Sequence, residues 1–384
     1  MPWRETSPMD QRMRFVLACE DSIFSVSELC ARFGISRKTA YKWLERYADA
    51  GVNGLADRSR APKTTPHKLA DDVAEPIIQA RHDHPDWGAR KLLAWLTTHR
   101  PELAKRLPAA STANAVLARA GLLTRQRGRR RWKHPSGAGL TTSTPNQVWT
   151  ADFKGQFWLG NGQICYPLTV ADGYSRYLLA CTGLSSVEQV GVIPIFTELF
   201  DQFGLPAAIR TDNGVPFATS ALAGLSKLNV YWLKLGIAHQ RIAPGRPEQN
   251  GRHERMHRTL KAKTTRPAEA DMSAQQARFD AFRQEYNTER PHEALGMRVP
   301  ATLYTPSSRP LPAQLPEPNY PSHMQVRWVS NAGTFRFKRH QIFLCRPLIH
   351  EYIALEETAD GIWSIYFYDV VVARLDERGG RVFS

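Results

Sequence analysis

The amino-acid sequence predicts a multidomain protein, with all-α helix-turn-helix domains at the N-terminus, a central α/β core and a small all-β barrel at the C-terminus. Three observations predict it. Apolar residues recur at three- and four-residue steps through about residue 123, the spacing of helices that bury one face. After Asn146, β-branched and aromatic residues alternate and cluster instead, as in strands. Beyond a proline-rich stretch, the chain breaks into short strand-like runs at turn-like spacing, the pattern of a small barrel or sandwich.

At 384 residues the chain is long enough for two to four domains. Apolar residues make up 42% and charged residues 23%, a globular composition that excludes disorder throughout. The net charge of +15 is uneven: residues 1–140 carry 25 basic and 14 acidic side chains, residues 141–384 carry 26 and 22. A basic N-terminal half fits nucleic acid as a partner. Cys19, Cys30, Cys165, Cys181 and Cys345 are scattered without a C-x-x-C pair, so neither a disulfide framework nor a zinc finger is expected, and buried thiols in a reducing cytoplasm are. The first fifteen residues contain no uninterrupted apolar run, and nowhere do eighteen apolar residues run together. Secretion and membrane insertion are not expected.

The first domain is placed at residues 1–65. Ser25 can cap a helix over SVSELCARF, Gly34 supplies the tight turn, Ser36 caps a second helix, and Gly51 closes it. Arg37, Lys38 and Lys42 lie near the start of that second helix, where a recognition helix meets bases and phosphates. A second helical, helix-turn-helix-like domain spans 66–133. Ser111 is the expected cap of its last helix, and Asp71, Asp72 and Glu75 are expected on a solvated face. The run RQRGRRRWKH (residues 125–134) brings Arg125, Arg127, Arg129, Arg130, Arg131 and Lys133 together, enough to neutralise several phosphates. A linker (134–147) leads to the α/β core (148–305), where Asp172-Gly173 signals a hairpin. Six prolines in 306–323 read as a semi-rigid linker, and 324–384 as the small β-barrel.

Enzymes that cut and join phosphodiesters commonly use two divalent ions about 3.5–4 Å apart. These hard cations need oxygen ligands, so acidic residues on separate elements are the candidates. Asp152 sits in VWTADFKGQF, where a strand would favour an apolar side chain, and a buried carboxylate is costly without a partner. Asp212 opens TDNGVPF at the end of a short strand, so a turn can present it at the sheet's carboxyl edge. Glu254 falls in the first turn of a helix rich in Arg252, Arg255, Arg258, Lys261 and Lys263. There the helix dipole favours the acid and the cations can hold DNA.

The segments WTADFKG, RTDNGVPF and PEQNGRHERMHRTLK resemble, in order, the three active-site motifs of the retroviral-integrase-like DDE superfamily, in particular bacterial insertion-sequence transposases. The later YNTERPHEALGMRVPATLY resembles the segment that follows the core in those proteins. The resemblance implies an RNase H-like core in which Asp152, Asp212 and Glu254 bind two Mg²⁺ (or Mn²⁺) ions. It also implies cleavage and strand transfer at the terminal inverted repeats of an element, on double-stranded DNA, by a bacterial, nucleoid-associated protein acting as a homodimer or higher homo-oligomer. Many members leave 35 residues between the second Asp and the Glu, which here selects Glu248; Glu254 gives 41. Glu254 is preferred for its helical N-G-x-x-E-R setting, with a six-residue insertion in AGLSKLNVYWLKLGI.

Two alternatives come from other classes. His253, Glu254 and His257 spell H-E-x-x-H, which on a helix can hold zinc with Glu as general base, as in a metalloprotease. Arg255 within the motif and the lack of an evident third ligand weigh against it, and the two histidines are expected to contact DNA or stay solvated. A non-catalytic helix-turn-helix regulator is the other, and it gives no reason for an aspartate inside a strand.

Overall fold

The computed structural model describes residues 7–58, 69–123, 141–219, 224–243 and 251–383, in two compact units, Met1–Leu69 and Ala70–Ser384. The first contains helices α1 (Pro8–Glu20), α2 (Val26–Phe33) and α3 (Arg37–Ala50). Ser25 and Glu28 cap each other's backbone at the start of α2, Gly34 turns the chain at φ 66°, and Ser36 accepts from the Thr39 amide at the start of α3. Phe15, Val16, Leu29, Ala40, Trp43 and Leu55 form its core. That burial leaves Arg37, Lys38 and Lys42 on the exposed side of α3.

The second unit begins with α4 (Asp71–Asp83), α5 (Ala89–His99) and α6 (Ala110–Arg119). Their shared core includes Ile77, Trp87, Leu92, Leu96 and Leu117. Ser111 does not cap α6 as expected. The Ala109 carbonyl already accepts the Ala113 amide, so the helix starts before Ser111, which falls within its first turn.

The central sheet comprises β1 (Val148–Phe153), β2 (Phe157–Trp158), β3 (Ile164–Asp172), β4 (Leu178–Leu184), β5 (Ala208–Thr211) and β6 (Ala238–Arg241). Strand β3 lies between β4 and β1, antiparallel to both, while β1, β5 and β6 run parallel in that order; β2 pairs with the start of β3. Helices α7 (Gln189–Phe203) and α8 (Lys227–Lys234) cover one face over Trp149, Ala151, Leu168 and Ile209. Helices α9 (Gly251–Thr264) and α10 (Met272–Thr288) cover the other over Cys165, Leu178 and Cys181. This is the expected RNase H-like core.

Residues 306–323 hold no regular element, yet their first part is pinned to the core rather than free. The Ser307 amide donates to the Phe203 carbonyl at 2.8 Å, and the Arg309 guanidinium donates to the carbonyls of Pro206 and Leu235, each at 3.0 Å.

The C-terminal strands are β7 (Gln325–Trp328), β8 (Thr334–Phe337), β9 (His340–Phe343), β10 (Tyr352–Ala359), β11 (Ile362–Phe367), β12 (Val370–Asp376) and β13 (Arg381–Phe383). The expected closed barrel is not formed by their pairing. Five strands make an open sheet in the order β13-β12-β11-β10-β7, and β8 pairs with β9 alone. The hairpin's Phe335, Phe337 and Ile342 share a core with Ile353, Ile365 and Phe367 of the sheet, so apolar faces meet as layers and ladder hydrogen bonds do not close the ring.

Candidate active site

Side chains of a strand alternate between faces. Trp149 and Ala151 enter the core beneath α7 and α8, so Thr150 and Asp152 project toward α9. Strand β5 pairs Val148 with Ala208 and Thr150 with Arg210. The same offset, carried past the last pair, sets Asp152 level with Asp212 one strand away, about 4.8 Å between neighbouring backbones. Asp212 lies in the turn after β5, where one carboxylate oxygen accepts the Gly214 amide at 3.1 Å. Glu254 lies, exposed, in the first turn of α9.

These three acids act on one another. The Asp152 side chain is 16% exposed, and its burial, followed by the negative charges of Asp212 and Glu254, pushes its pKa up to about 7. A carboxyl held this far above the usual range by burial, and then by like charges, marks a place that favours a cation, and three oxygen donors fit a hard divalent one. Asp172 is different. It is 1% exposed, and its two oxygens accept from the Asn146 amide and from the Ser175 amide and hydroxyl. Its acceptor capacity holds the hairpin.

His253 and His257 were expected to be solvated or on DNA. Both are instead buried, because two threonines of the sheet face supply their polar contacts. The Thr169 hydroxyl donates to the Asp152 carbonyl at 3.0 Å and lies 2.6 Å from His253 Nε2 and 2.7 Å from His257 Nε2. A hydroxyl has one proton and two acceptor positions, so with its proton on that carbonyl it accepts from both imidazoles. Each ring then carries its hydrogen on Nε2. His253 Nδ1 is met by the Thr150 hydroxyl at 2.9 Å, and His257 Nδ1 faces the Asp152 carboxyl at 3.8 Å. Burial pushes the pKa of His253 down to about 3 and that of His257 to about 2, the latter helped by His253 and Lys154.

Asp152, His253 and His257 bring possible ligand atoms within 4.8 Å of one another. Three of the four imidazole nitrogens are nevertheless engaged by threonine hydroxyls. That leaves only His257 Nδ1 for a metal, whereas the zinc reading of H-E-x-x-H requires one nitrogen from each histidine. The protease alternative loses its ligand set.

Arg252, Arg255, Arg258 and Lys261 are exposed along α9, and Arg252 also donates to the Gly173 carbonyl at 2.9 Å. Arg125, Arg127, Arg129, Arg130, Arg131, Lys133 and Glu248 lie outside the described residues. Sequence reasoning missed Thr150 and Thr169, which read as ordinary strand threonines until α9 is placed over them.

The comparisons with known proteins agree across the chain. An integrase core domain family matches residues 142–247, and a second integrase core domain family matches residues 235–300. A helix-turn-helix domain family matches residues 11–63, and a homeodomain-like domain family matches residues 39–117. An insertion element IS476 uncharacterized 39.2 kDa protein of Xanthomonas euvesicatoria is 27% identical over 264 residues, covering 68% of this chain and 71% of that one. An insertion element IS407 uncharacterized 31.7 kDa protein of Burkholderia multivorans is 27% identical over 234 residues, covering 60% and 79%. Among solved structures, the HTLV-2 integrase catalytic core domain in complex with magnesium aligns with 43% of this chain and 98% of its own, at 15% identity and a TM-score of 0.33.

Proposed function

We propose that this chain, which belongs to the insertion-sequence transposases of the integrase superfamily, binds the terminal inverted repeats of its element and catalyses Mg-dependent DNA cleavage and strand transfer. Asp152, Asp212 and Glu254 are the catalytic and metal-binding residues. The observation that carries the reading is the electrostatic convergence of Asp212 and Glu254 on a buried Asp152.

The three carboxylates would hold Mg²⁺ or Mn²⁺, two ions per active site, and ions bound there would supply charge neutralisation at the scissile phosphate and activation of the attacking oxygen. The chain supplies the placement. Strands β1 and β5 fix Asp152 and Asp212 on one sheet edge, and α9 brings Glu254 over it. Burial around Asp152 excludes water from its inner side. The exposed cations of α9 grip the DNA backbone, and Arg37, Lys38 and Lys42 of α3 read the repeat in the major groove. Water attacks the phosphodiester at the element end, breaking its bond to the 3′-oxygen to free a 3′-OH and leave a 5′-phosphate; that hydroxyl then attacks a target phosphodiester, joining to its phosphorus as the target's own 3′-oxygen leaves as a hydroxyl, with no covalent enzyme intermediate. Two ends must be paired, so the working form is a homodimer or larger homo-oligomer.

The test is cleavage of a labelled duplex carrying the element end, with Mg²⁺ or Mn²⁺ supplied. Wild type is expected to nick it, and Asp152→Asn, Asp212→Asn and Glu254→Gln to abolish nicking while leaving binding. Nicking that survives Asp152→Asn would remove Asp152 from the catalytic set, and a wild type that binds without nicking would return the chain to the non-catalytic regulator.

A further inference from the structure

Helix α5, the turn between β3 and β4, the start of α9 and the end of α10 enclose a cavity of about 350 Å³. Its walls are cationic, with Lys91, Arg176, Arg252, Arg255 and Arg290 among the lining residues. The one acid in the lining, Glu293, is paired with Arg90 at 2.8 Å. Arg290 is 9% exposed and held by Asp86 at 2.7 Å. Among the described residues, Lys91, Arg176 and Arg255 have no carboxylate within ion-pair distance. Among the described residues, Arg176 Nε is buried without a hydrogen-bond partner, an arrangement that costs stability unless a ligand supplies the acceptor.

Like charges crowded in a partly buried space repel one another. Burial, and then Arg290, pulls the Lys91 pKa down to about 8, with Arg255 also contributing, and burial lowers the Arg176 pKa with help from Arg252 and Arg255. An anion relieves both the repulsion and the unmet donor. We propose that this cavity is a phosphodiester-binding site for a DNA strand, using Lys91, Arg176 and Arg290, none of which lies on the exposed cationic face of α9.

DNA is favoured over a small free anion by where the cavity leads. Gly251 and Arg255 line it and also a second hollow formed with Glu254 and Arg258. A backbone phosphate seated in the first therefore has its neighbours directed toward Glu254. The site joins the second helical domain to the catalytic face, so that α5 helps to hold the strand on which cleavage occurs. This inference rests on the reading of the chain as a DNA-processing enzyme, and it is tested separately by binding without divalent ions.

The experiment measures the affinity of the full chain for a labelled duplex by fluorescence anisotropy over a range of salt. Lys91→Gln and Arg176→Gln are compared with Lys227→Gln, an exposed residue at the start of α8, as control. Each cavity variant is expected to bind about three- to tenfold more weakly and to flatten the slope of log K against log salt by about 0.9, the value of one lost phosphate contact. The control is expected to keep wild-type values. Acetylation of Lys91, read by mass spectrometry, is expected to fall when duplex is added. Wild-type affinity and slope in the cavity variants, with Lys91 acetylation of the wild-type chain unchanged by duplex, would overturn the proposal. Inorganic phosphate and a mononucleotide are run as competitors; Lys91-dependent binding of either, with an unchanged duplex slope, identifies a small-anion pocket and also overturns it. Arg176 has a positive φ, so if its variant fails to fold, Lys91→Gln decides. Normal binding by Lys91→Gln beside Asp152-dependent nicking removes the cavity and leaves the transposase. Weakened binding by Lys91→Gln in a chain that never nicks does the reverse.

Discussion

His257 turns Nδ1 toward the Asp152 carboxyl at 3.8 Å, on a ring whose Nε2 is already held by Thr169 at 2.7 Å. That separation is too long for a hydrogen bond, and the imidazole is neutral, so His257 does not neutralise Asp152. Burial and the negative charges of Asp212 and Glu254 oppose the ionisation of Asp152 and outweigh the Phe153 amide and the Lys154 cation, which favour it. The site therefore holds its energetic tension in one residue until a cation enters.

The first prediction follows from that tension. Asp152 is raised to about 7, by burial and then by Asp212, against about 3.9 in an unfolded chain. The native state thus holds this proton more tightly than the unfolded state. Its contribution to stability is fully present below about pH 4 and is lost as pH rises through about 7. Asp152→Asn should raise the thermal midpoint at pH 8 in chelator, by an amount corresponding to roughly 2–4 kcal/mol. Mg²⁺ or Mn²⁺ should raise the midpoint of wild type and leave that of the variant nearly unmoved. A variant no more stable than wild type at pH 8 would show that Asp152 carries no such strain.

Thr169 is the second. Its hydroxyl serves two imidazoles and a backbone carbonyl at once. Thr169→Val keeps the shape and leaves those buried groups without a partner, which costs about 1–3 kcal/mol for each group stranded. We expect a loss of about 2–4 kcal/mol in urea unfolding and a lower nicking rate, with Thr169→Ser restoring most of both. Equal stability of the Val and Ser variants would mean that packing, and not the hydroxyl, matters there.

Much of this was legible beforehand for identifiable reasons. The helix-turn-helix could be read because Ser25, Gly34, Ser36 and Gly51 are local signals, each acting within a few residues. Asp152 and Asp212 stood out because one sits within a strand pattern and the other at a strand end. The burial of His253 and His257 could not be read, since it depends on Thr150 and Thr169 lying across from α9, a contact between residues about a hundred positions apart. Ser111 misled for a local reason: the Ala109 carbonyl takes the first helical hydrogen bond and begins the helix before it. The open C-terminal sheet was hidden because strand spacing is alike in barrels and layered sheets.

Acid sensitivity is the third prediction. Four histidines are held neutral chiefly by burial, His239 at about 4, His253 and His292 at about 3, and His257 at about 2. In the unfolded chain each titrates near about 6.5, so below that pH the unfolded state binds more protons. The stability they confer is present above about pH 6.5 and is lost as pH falls toward about 4. The pH dependence of urea unfolding between pH 6 and 4.5 should report an uptake approaching four protons, after the carboxylates are accounted for with the Asp variants. His292→Asn should lower that uptake by about one. An uptake near zero would place these rings in solvent.

The fourth prediction concerns the joint between α5 and the core. Asp86 lies just before α5, where burial alone would raise its pKa, yet the Arg290 and Lys263 cations more than offset this and hold it below the usual range. Its oxygens lie 2.7 Å from Arg290 and 3.3 Å from Lys263. Lys263 keeps a second partner in Glu285, whereas Arg290 has Asp86 as its one ion pair among the described residues and is nearly buried. Asp86→Ala therefore strands a buried guanidinium, a change that costs about 3–5 kcal/mol when one partner of a buried pair is removed. The urea midpoint should fall accordingly, and limited proteolysis should cut between α6 and β1 sooner than in wild type as the helices lose their hold on α10. The paired variant Asp86→Ala/Arg290→Met should recover part of the loss, because it removes the uncompensated charge as well. If the double variant is no more stable than the single one, the ion pair does not join the helical domain to the core.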